Sequence, residues 1–374
     1  GVYSWVSPEN RRILVELLRR RLKPGGVAYV SYNALPGQAA EAPLARLIRD
    51  HAMAEPGPIP ARLDRALAFA GRLRQAGAAY FAMAPAAGPH LDGLQGQTRN
   101  YLAHEYLNSH RTAFYHADIA AELAEAKLDF AASALLLGQF DNLNLSPEQQ
   151  ALLAEVGDPA RRETLRDFIL GQGFRRDLFQ RGLRPLAPAE AAARLRATRF
   201  ALVTPRRQMP RTAACPRGQI AFAPAVYDPL LDALAEGPQP LAALEARTGL
   251  PWEPLREAIL LLCAAGHAEP AVAEAEADSA RDSTARFNAA VLEENGKGVE
   301  LMALASPVLG TGVAVDRADR LFLAALQRGA DPLAFARAAL PPPPSDNPAD
   351  DPLPRRFEIF ETLHLPILRQ LGVA

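Results

Sequence analysis

One stretch near the start restricts the architecture more than any other. Residues 1–37 read GVYSWVSPENRRILVELLRRRLKPGGVAYVSYNALPG. The order is loop, helix, tight turn, apolar strand, loop. Ser7-Pro8-Glu9 is a helix start: Ser7 can accept from a first-turn backbone N–H, and Pro8 suits the first helical position. Ile13, Leu14, Leu17, Leu18 and Leu22 recur at helical spacing and predict the buried face. Arg19, Arg20, Arg21 and Lys23 complement the negative end of the helix dipole. Pro24-Gly25-Gly26 stops the helix and turns the chain. Val27 to Tyr32 is short, apolar and β-prone, which predicts a strand covered on both faces in a parallel sheet. Asn33 to Gly37 leave that strand at its C-terminal edge, where open parallel sheets bind ligands. No strand precedes the first loop, so the expectation is the second half of a nucleotide-type α/β domain, with the first half upstream of Gly1.

Composition narrows the partners. The chain has 374 residues, 49% of them hydrophobic and 22% charged, enough for two or three domains with real cores. The formal net charge of −1 argues against nucleic acid or an anionic membrane as an obligatory partner. Cys215 and Cys263 are the only cysteines and sit at no metal-ligand spacing, so a reducing compartment, the cytoplasm, is the default. No apolar run reaches the roughly 18–20 residues that span a bilayer.

The helix, LKPGG turn and strand resemble the fourth-helix-to-fifth-strand passage of class I S-adenosylmethionine-dependent methyltransferases. GVYSWV paired with SYNALPG narrows the resemblance to bacterial methyltransferases that carry a methyltransferase regulatory domain, a group that includes protein-lysine methyltransferases. Tyr101 to Asn108 (YLAHEYLN), Phe114-Tyr115, Lys127 to Phe130, Arg166 to Phe168 and Phe174 to Phe179 continue it, so it covers residues 1–181 with a helical insertion near 40–112. The implied fold is α/β: a partial Rossmann-like methyltransferase sheet, the helical insertion, and mainly α C-terminal domains. The implied cofactor is S-adenosylmethionine. The family's glycine-rich cofactor loop has no counterpart in the sequence and is expected upstream of Gly1, so weak or no cofactor binding by this chain alone is expected.

Downstream, Ala42 to Ala54 and Leu63 to Leu73 read as helices, and residues 85–97, rich in Gly and Pro, as a loop. Residues 182–270 read as a proline-rich connector, with a helix near 188–197 and a strand at Phe200–Val203, followed by three short helices that look like a winged-helix-type unit. Residues 271–374 read as a further, mainly helical domain. Within it, 270–285 reads as an acidic, Ala-rich mobile linker, Phe287 to Glu294 as a helix, 341–354 as a stiff extended linker, and Phe357 to Leu371 as an amphipathic helix.

The resemblance places Gly1–Val6 in the loop that lines the acceptor site. Methyl transfer from a sulfonium is an in-line displacement, so the protein must mainly align the partners and exclude water. Tyr3 and Trp5 suit that site, since aromatic walls hold a lysine stem and favour a cation. A Tyr oxygen or a backbone carbonyl can also help a lysine acceptor lose its proton by accepting a hydrogen bond from it. The plainer reading packs both rings under the next helix. Tyr32 and Asn33 either orient the acceptor amine or the cofactor's carboxylate end, or are an edge-of-sheet Tyr and a turn Asn. Tyr3 and Tyr32 are the catalytic candidates; Trp5, Asn33, His104 and Glu105 are the substrate-binding ones. His104 and Glu105, with His110, lack the H-E-x-x-H spacing, so no metal is expected. Gly310-Thr311-Gly312 lacks the third glycine of a dinucleotide loop. The third helix of the winged-helix-type unit carries Arg256 between Glu253 and Glu257 and presents no basic face, so protein packing is expected there and not DNA. The implied function is methyl transfer to a protein lysine. The alternative is a non-catalytic regulatory or interaction module. The C-terminal domains are left to select a protein substrate or to form a homodimer.

Overall fold

The computed structural model describes residues 1–294, 301–340 and 351–374. The chain divides into two units, Gly1–Pro185 and Leu186–Ala374.

In the first unit a helical turn, α1 (Val2–Trp5), precedes α2 (Pro8–Arg21) and β1 (Val27–Ala34). Gly1–Val6 is therefore mainly helical where a loop was expected. Ser7 caps α2 by accepting from Asn10 N at 3.2 Å, as its sequence predicts. The buried face of α2 is rotated from the expected one: Leu18 and Leu22 pack partly buried against the core as expected, but Ile13 and Leu17 do not. Arg11 and Val15 are buried, while Ile13 and Leu17 are 64% and 52% exposed. Arg11 turns its guanidinium onto the Phe114 ring at 4.8 Å and donates to Val6 O at 3.2 Å, contacts that go with this rotation of the helix. Gly25 adopts a φ of +77°, which completes the turn into β1.

Five helices follow: α3 (Ala42–Ala54), α4 (Ile59–Gln75), α5 (Ala79–Met83), α6 (Ala87–Leu94) and α7 (Arg99–Tyr106). Leu44, Ile48, Leu63, Leu67, Leu91 and Leu102 give them a core of their own. The expected loop at 85–97 is largely α6. Pro89 falls in its first turn, where a missing N–H is harmless, and Leu91 and Leu94 are buried.

The chain returns through β2 (Ala113–Phe114), α8 (His116–Ala124), β3 (Leu128–Ser133), α9 (Asp141–Asn144), α10 (Pro147–Ala154), α11 (Pro159–Leu170) and β4 (Phe174–Arg181). The sheet order is β2-β1-β4-β3. β2 is parallel to β1, and β4 runs antiparallel to both β1 and β3. Ala28, Val30, Tyr32, Ile119 and Leu123 form the core on one face. β1 was expected to be covered on both faces, but Val27 and Tyr29 are exposed, because the helices of this core pack on the other side.

In the second unit α12 (Pro188–Ala197) leads to β5 (Arg199–Leu202), the hairpin of β6 (Thr212–Cys215) and β7 (Gly218–Ala221), α13 (Pro224–Ala235), β8 (Gln239–Pro240), α14 (Leu241–Thr248), α15 (Trp252–Ala264) and β9 (Ala268–Ala271). β8, β5 and β9 form a three-stranded sheet in that order. Most of the expected mobile linker at 270–285 is instead part of one helix, α16 (Glu274–Glu294). Its Ala and Glu content favours a helix, and Ala277, Asn288, Val291 and Leu292 are buried along it. Gly310-Thr311-Gly312 lies at the turn of the hairpin formed by β10 (Ala303–Ser306) and β11 (Thr311–Ala314). α17 (Arg317–Gln327) and α18 (Pro332–Ala339) follow. Most of the expected linker at 341–354 lies outside the described residues. A final helix runs from Leu353 to Gln370 with a π turn at Phe360–His364. No helix among the described residues is long and apolar enough to cross a membrane.

Candidate active site

A cavity of about 610 Å³ lies where the C-terminal end of β1 meets the helical insertion. Trp5 reaches it from α1, Asn33 from β1, Glu41 from the turn before α3, His90 from α6, and Tyr101, His104 and Glu105 from α7. Phe174, the first residue of β4, is the cross-strand partner of Asn33. Local bonding fixes these elements. Ser4, fully buried, accepts from Asn33 N through Oγ at 2.8 Å, and its carbonyl accepts from Thr112 N at 3.0 Å. That ties α1 to the sheet. Gly37 packs against backbone: a Cβ there would lie 2.4 Å from the Gly171 carbonyl oxygen. Thr98 caps α7 by accepting from Tyr101 N at 3.3 Å.

The walls combine rings and charges. Trp5 and His104 lie 5.3 Å apart at 51°. Arg111 Nη2 donates to Gln38 Oε1 at 2.9 Å and sits 3.6 Å from Glu105 Oε1. Gln38 Nε2 reaches Glu41 Oε2 at 3.5 Å. His90 stands between Glu41 (Nδ1 to Oε1, 3.5 Å) and the Tyr106 hydroxyl (Nε2 to Oη, 2.9 Å). Burial pushes the Tyr106 phenol well above its ordinary range, so it is a neutral hydroxyl. Two carboxylates, two imidazoles and several ring faces in one cavity suit a long aliphatic stem with a cationic head.

Of the six candidates read from the sequence, Trp5, Asn33, His104 and Glu105 share this cavity. Tyr3 and Tyr32 lie behind it in the core. The Tyr3 hydroxyl donates to Glu122 at 2.5 Å, and burial followed by that bond pushes its pKa up. Tyr32 is fully buried and donates to Asp177 Oδ2 at 2.7 Å, with His116 Nδ1 3.1 Å from its oxygen. Arg175 completes the cluster with bonds to Asp177 at 2.7 Å and to Asp167 at 2.6 Å.

Glu41, His90, Tyr101, Tyr106 and Arg111 escaped the sequence reading. Tyr101 was legible, because Tyr101, His104 and Glu105 are spaced i, i+3, i+4 and share one helix face. Glu41 and His90 carried no local signal; tertiary packing alone brings them in. Among the described residues no group of three or more His, Cys, Asp or Glu side chains is placed to hold a metal ion.

Residues 98–181 match the family described as a predicted methyltransferase regulatory domain. The matched residues include α7, Arg111 and Phe174, a large part of the cavity wall. The uncharacterized protein sll1526 of Synechocystis is 40% identical over 334 residues, which is 88% of this chain and 66% of that protein. The uncharacterized protein RP789 of Rickettsia prowazekii is 29% identical over 48% of this chain and 32% of its own length. The chain thus spans no more than about two thirds of these relatives. The chain also shares the fold of PKMT2 from Rickettsia typhi: the structure in complex with AdoHcy matches with a TM-score of 0.68 and 17% identity, over 100% of this chain and 79% of that one. A second PKMT2 structure matches with a TM-score of 0.64 and 16% identity, over the same shares.

Proposed function

We propose that this chain forms the acceptor side of an S-adenosylmethionine-dependent methyltransferase that acts on lysine side chains of proteins. The observation that carries the reading is the cavity at the end of β1, lined by Trp5, Asn33, Tyr101, His104, Glu105 and Phe174. The shared fold with PKMT2, whose structure holds AdoHcy, supports the donor. When bound, S-adenosylmethionine supplies a methyl group on a positively charged sulfur. The donor set here fits that reacting end, because ring faces and the Glu41 and Glu105 carboxylates favour a cationic centre.

The chain's own residues then have three tasks. Trp5, Tyr101 and Phe174 enclose the lysine stem and exclude water. Glu105, steadied by Arg111, attracts the ammonium head. The third task is deprotonation, since an ammonium has no lone pair with which to attack. His90 Nε2 accepts from the Tyr106 hydroxyl and its Nδ1 faces Glu41, so the pair takes that proton by relay: it passes to the Tyr106 oxygen as the hydroxyl proton passes to His90 Nε2. Tyr32 serves this site indirectly by fixing the end of β1 from which Asn33 projects.

The non-catalytic alternative makes the opposite forecast in one experiment. The natural full-length protein is incubated with S-adenosylmethionine and a cell lysate, and methylated lysines are read by mass spectrometry. New methyl-lysine that disappears in Trp5→Ala supports the enzyme reading; its absence with a folded protein removes it. In the second unit, α13, α14 and α15 packed with the β8-β5-β9 sheet support a winged-helix-like reading. Arg256 is bonded to Glu253 at 2.7 Å, which favours a protein-facing role for that unit over DNA binding.

A further inference from the structure

We infer that Asn33 and Arg111 form a two-donor subsite for a carbonyl or carboxylate oxygen, beside the amine-binding wall; this deepens the acceptor-site reading and rests on it. Asn33 is only 5% exposed, and its Nδ2 has no hydrogen-bond partner among the described residues. Arg111 Nε is likewise enclosed and unpartnered. Both residues line the cavity. They are neighbours in the fold, because on the edge of β1 away from β4 Asn33 pairs with Ala113, two residues beyond Arg111. The guanidinium is also held in place. Its Nη2 is engaged by Gln38 and Glu105, and its plane lies 5.9 Å from the Tyr106 ring centre. Its Nε–H is therefore fixed by contacts that leave it unsatisfied.

A buried donor without an acceptor is costly, and a ligand oxygen removes the cost. An amide N–H and a guanidinium N–H together select an oxygen acceptor and repel a cation. The cavity thus has two chemically distinct ends. Carboxylates and rings receive an ammonium, while Asn33 and Arg111 receive an oxygen. That oxygen has two sources: the main-chain carbonyl of the acceptor lysine, or the amino-acid carboxylate of the methyl donor.

The test uses the whole chain and the indole N–H signal of Trp5 in NMR. Trp5 and Trp252 are the two tryptophans, and Trp5 alone lies in the first unit. Three probes are titrated: Nα-acetyl-norleucine methylamide, which has carbonyls and no ammonium; AdoHcy, which has the carboxylate; and n-butylammonium, which has no oxygen. Arg111→Lys keeps the positive charge but loses the Nε donor, and Asn33→Ala loses the amide. At least one oxygen-bearing probe should bind the wild type and weaken roughly ten-fold or more in Arg111→Lys, a larger loss than n-butylammonium shows, since Arg111 also steadies Glu105. The probe that weakens identifies the source. Should Asn33→Ala fail to fold, Arg111→Lys decides alone. Oxygen-bearing probes that bind wild type and Arg111→Lys equally, or that bind neither, overturn the inference. Failure of n-butylammonium to bind while an oxygen-bearing probe binds leaves the subsite standing and overturns the lysine reading instead.

Discussion

At Arg175 one buried guanidinium serves three carboxylates, Glu163, Asp167 and Asp177. Three acids exceed one cation, so their titrations separate. Burial works against a charge on Asp177, but the donors His116, Arg175 and Tyr32 outweigh it and hold its carboxyl below the usual range. For Asp167 burial outweighs Arg175 and pushes the carboxyl up to about 7. The folded chain therefore binds that proton more tightly than the unfolded chain. The stability it contributes is complete below about pH 4 and is lost as pH rises through about 7. Urea unfolding of wild type across that window should show a loss on the order of a few kcal/mol from this group. Asp167→Asn should flatten the slope; an unchanged slope would place the proton elsewhere. Gly37 makes a different kind of prediction. Its backbone lies against Gly171 to Gly173, so Gly37→Ala should lower stability by about 1–3 kcal/mol in thermal melts and shift the Asn33 and Gln38 signals with it.

Among the elements, α7 presents the candidate site residues on one face, and its start depends on Thr98. Thr98→Ala should cost about 1 kcal/mol, and amide exchange should speed up within residues 99–106 more than within α4. Uniform exchange across both helices would mean that packing, not the cap, holds α7. The same elements mark how far the sequence could be read. α2, β1 and α3 were legible because capping residues, periodicity and glycine turns agree with tertiary structure there, whereas the stretches of α7 and β4 stood out only through the family resemblance. The rotation of α2 was not, because Ile13 and Leu17 are as apolar as Val15, and tertiary contacts such as Arg11 with Phe114, Val6 O and Glu122 accompany the face that is buried. The helix α16 was misread because acidic, Ala-rich composition fits both a solvated linker and a helix. Buried Asn288 distinguishes them: its side chain bonds Ala305 N and O at 2.7 and 2.9 Å. Asn288→Ala should destabilise the second unit by about 1–3 kcal/mol, read by urea unfolding.

Across the whole molecule, the site is assembled from residues as distant as Trp5, His90 and Phe174, so its composition was only half legible. The sequence named the residues that sit on recognisable stretches, Trp5, Asn33, His104 and Glu105. It could not name Glu41, His90 or Arg111, whose roles come from the docking of the helical insertion onto the end of the sheet. Tyr3 and Tyr32 stood out as aromatics beside the expected pocket, yet their hydroxyls are engaged in the core with Glu122 and Asp177. The stretch similar to a methyltransferase regulatory domain is thus part of the cavity wall, and the cavity lies between it and β1. The most direct test measures methyl transfer to lysine by the natural full-length protein, comparing wild type with Glu105→Gln and His90→Gln as a function of pH. The account predicts that Glu105→Gln mainly raises KM. It predicts that His90→Gln lowers kcat by about 10²–10⁴-fold near neutral pH, with the deficit shrinking towards pH 10, where lysine loses its own proton. Wild-type transfer that is indifferent to both substitutions, with both variants folded, would contradict it.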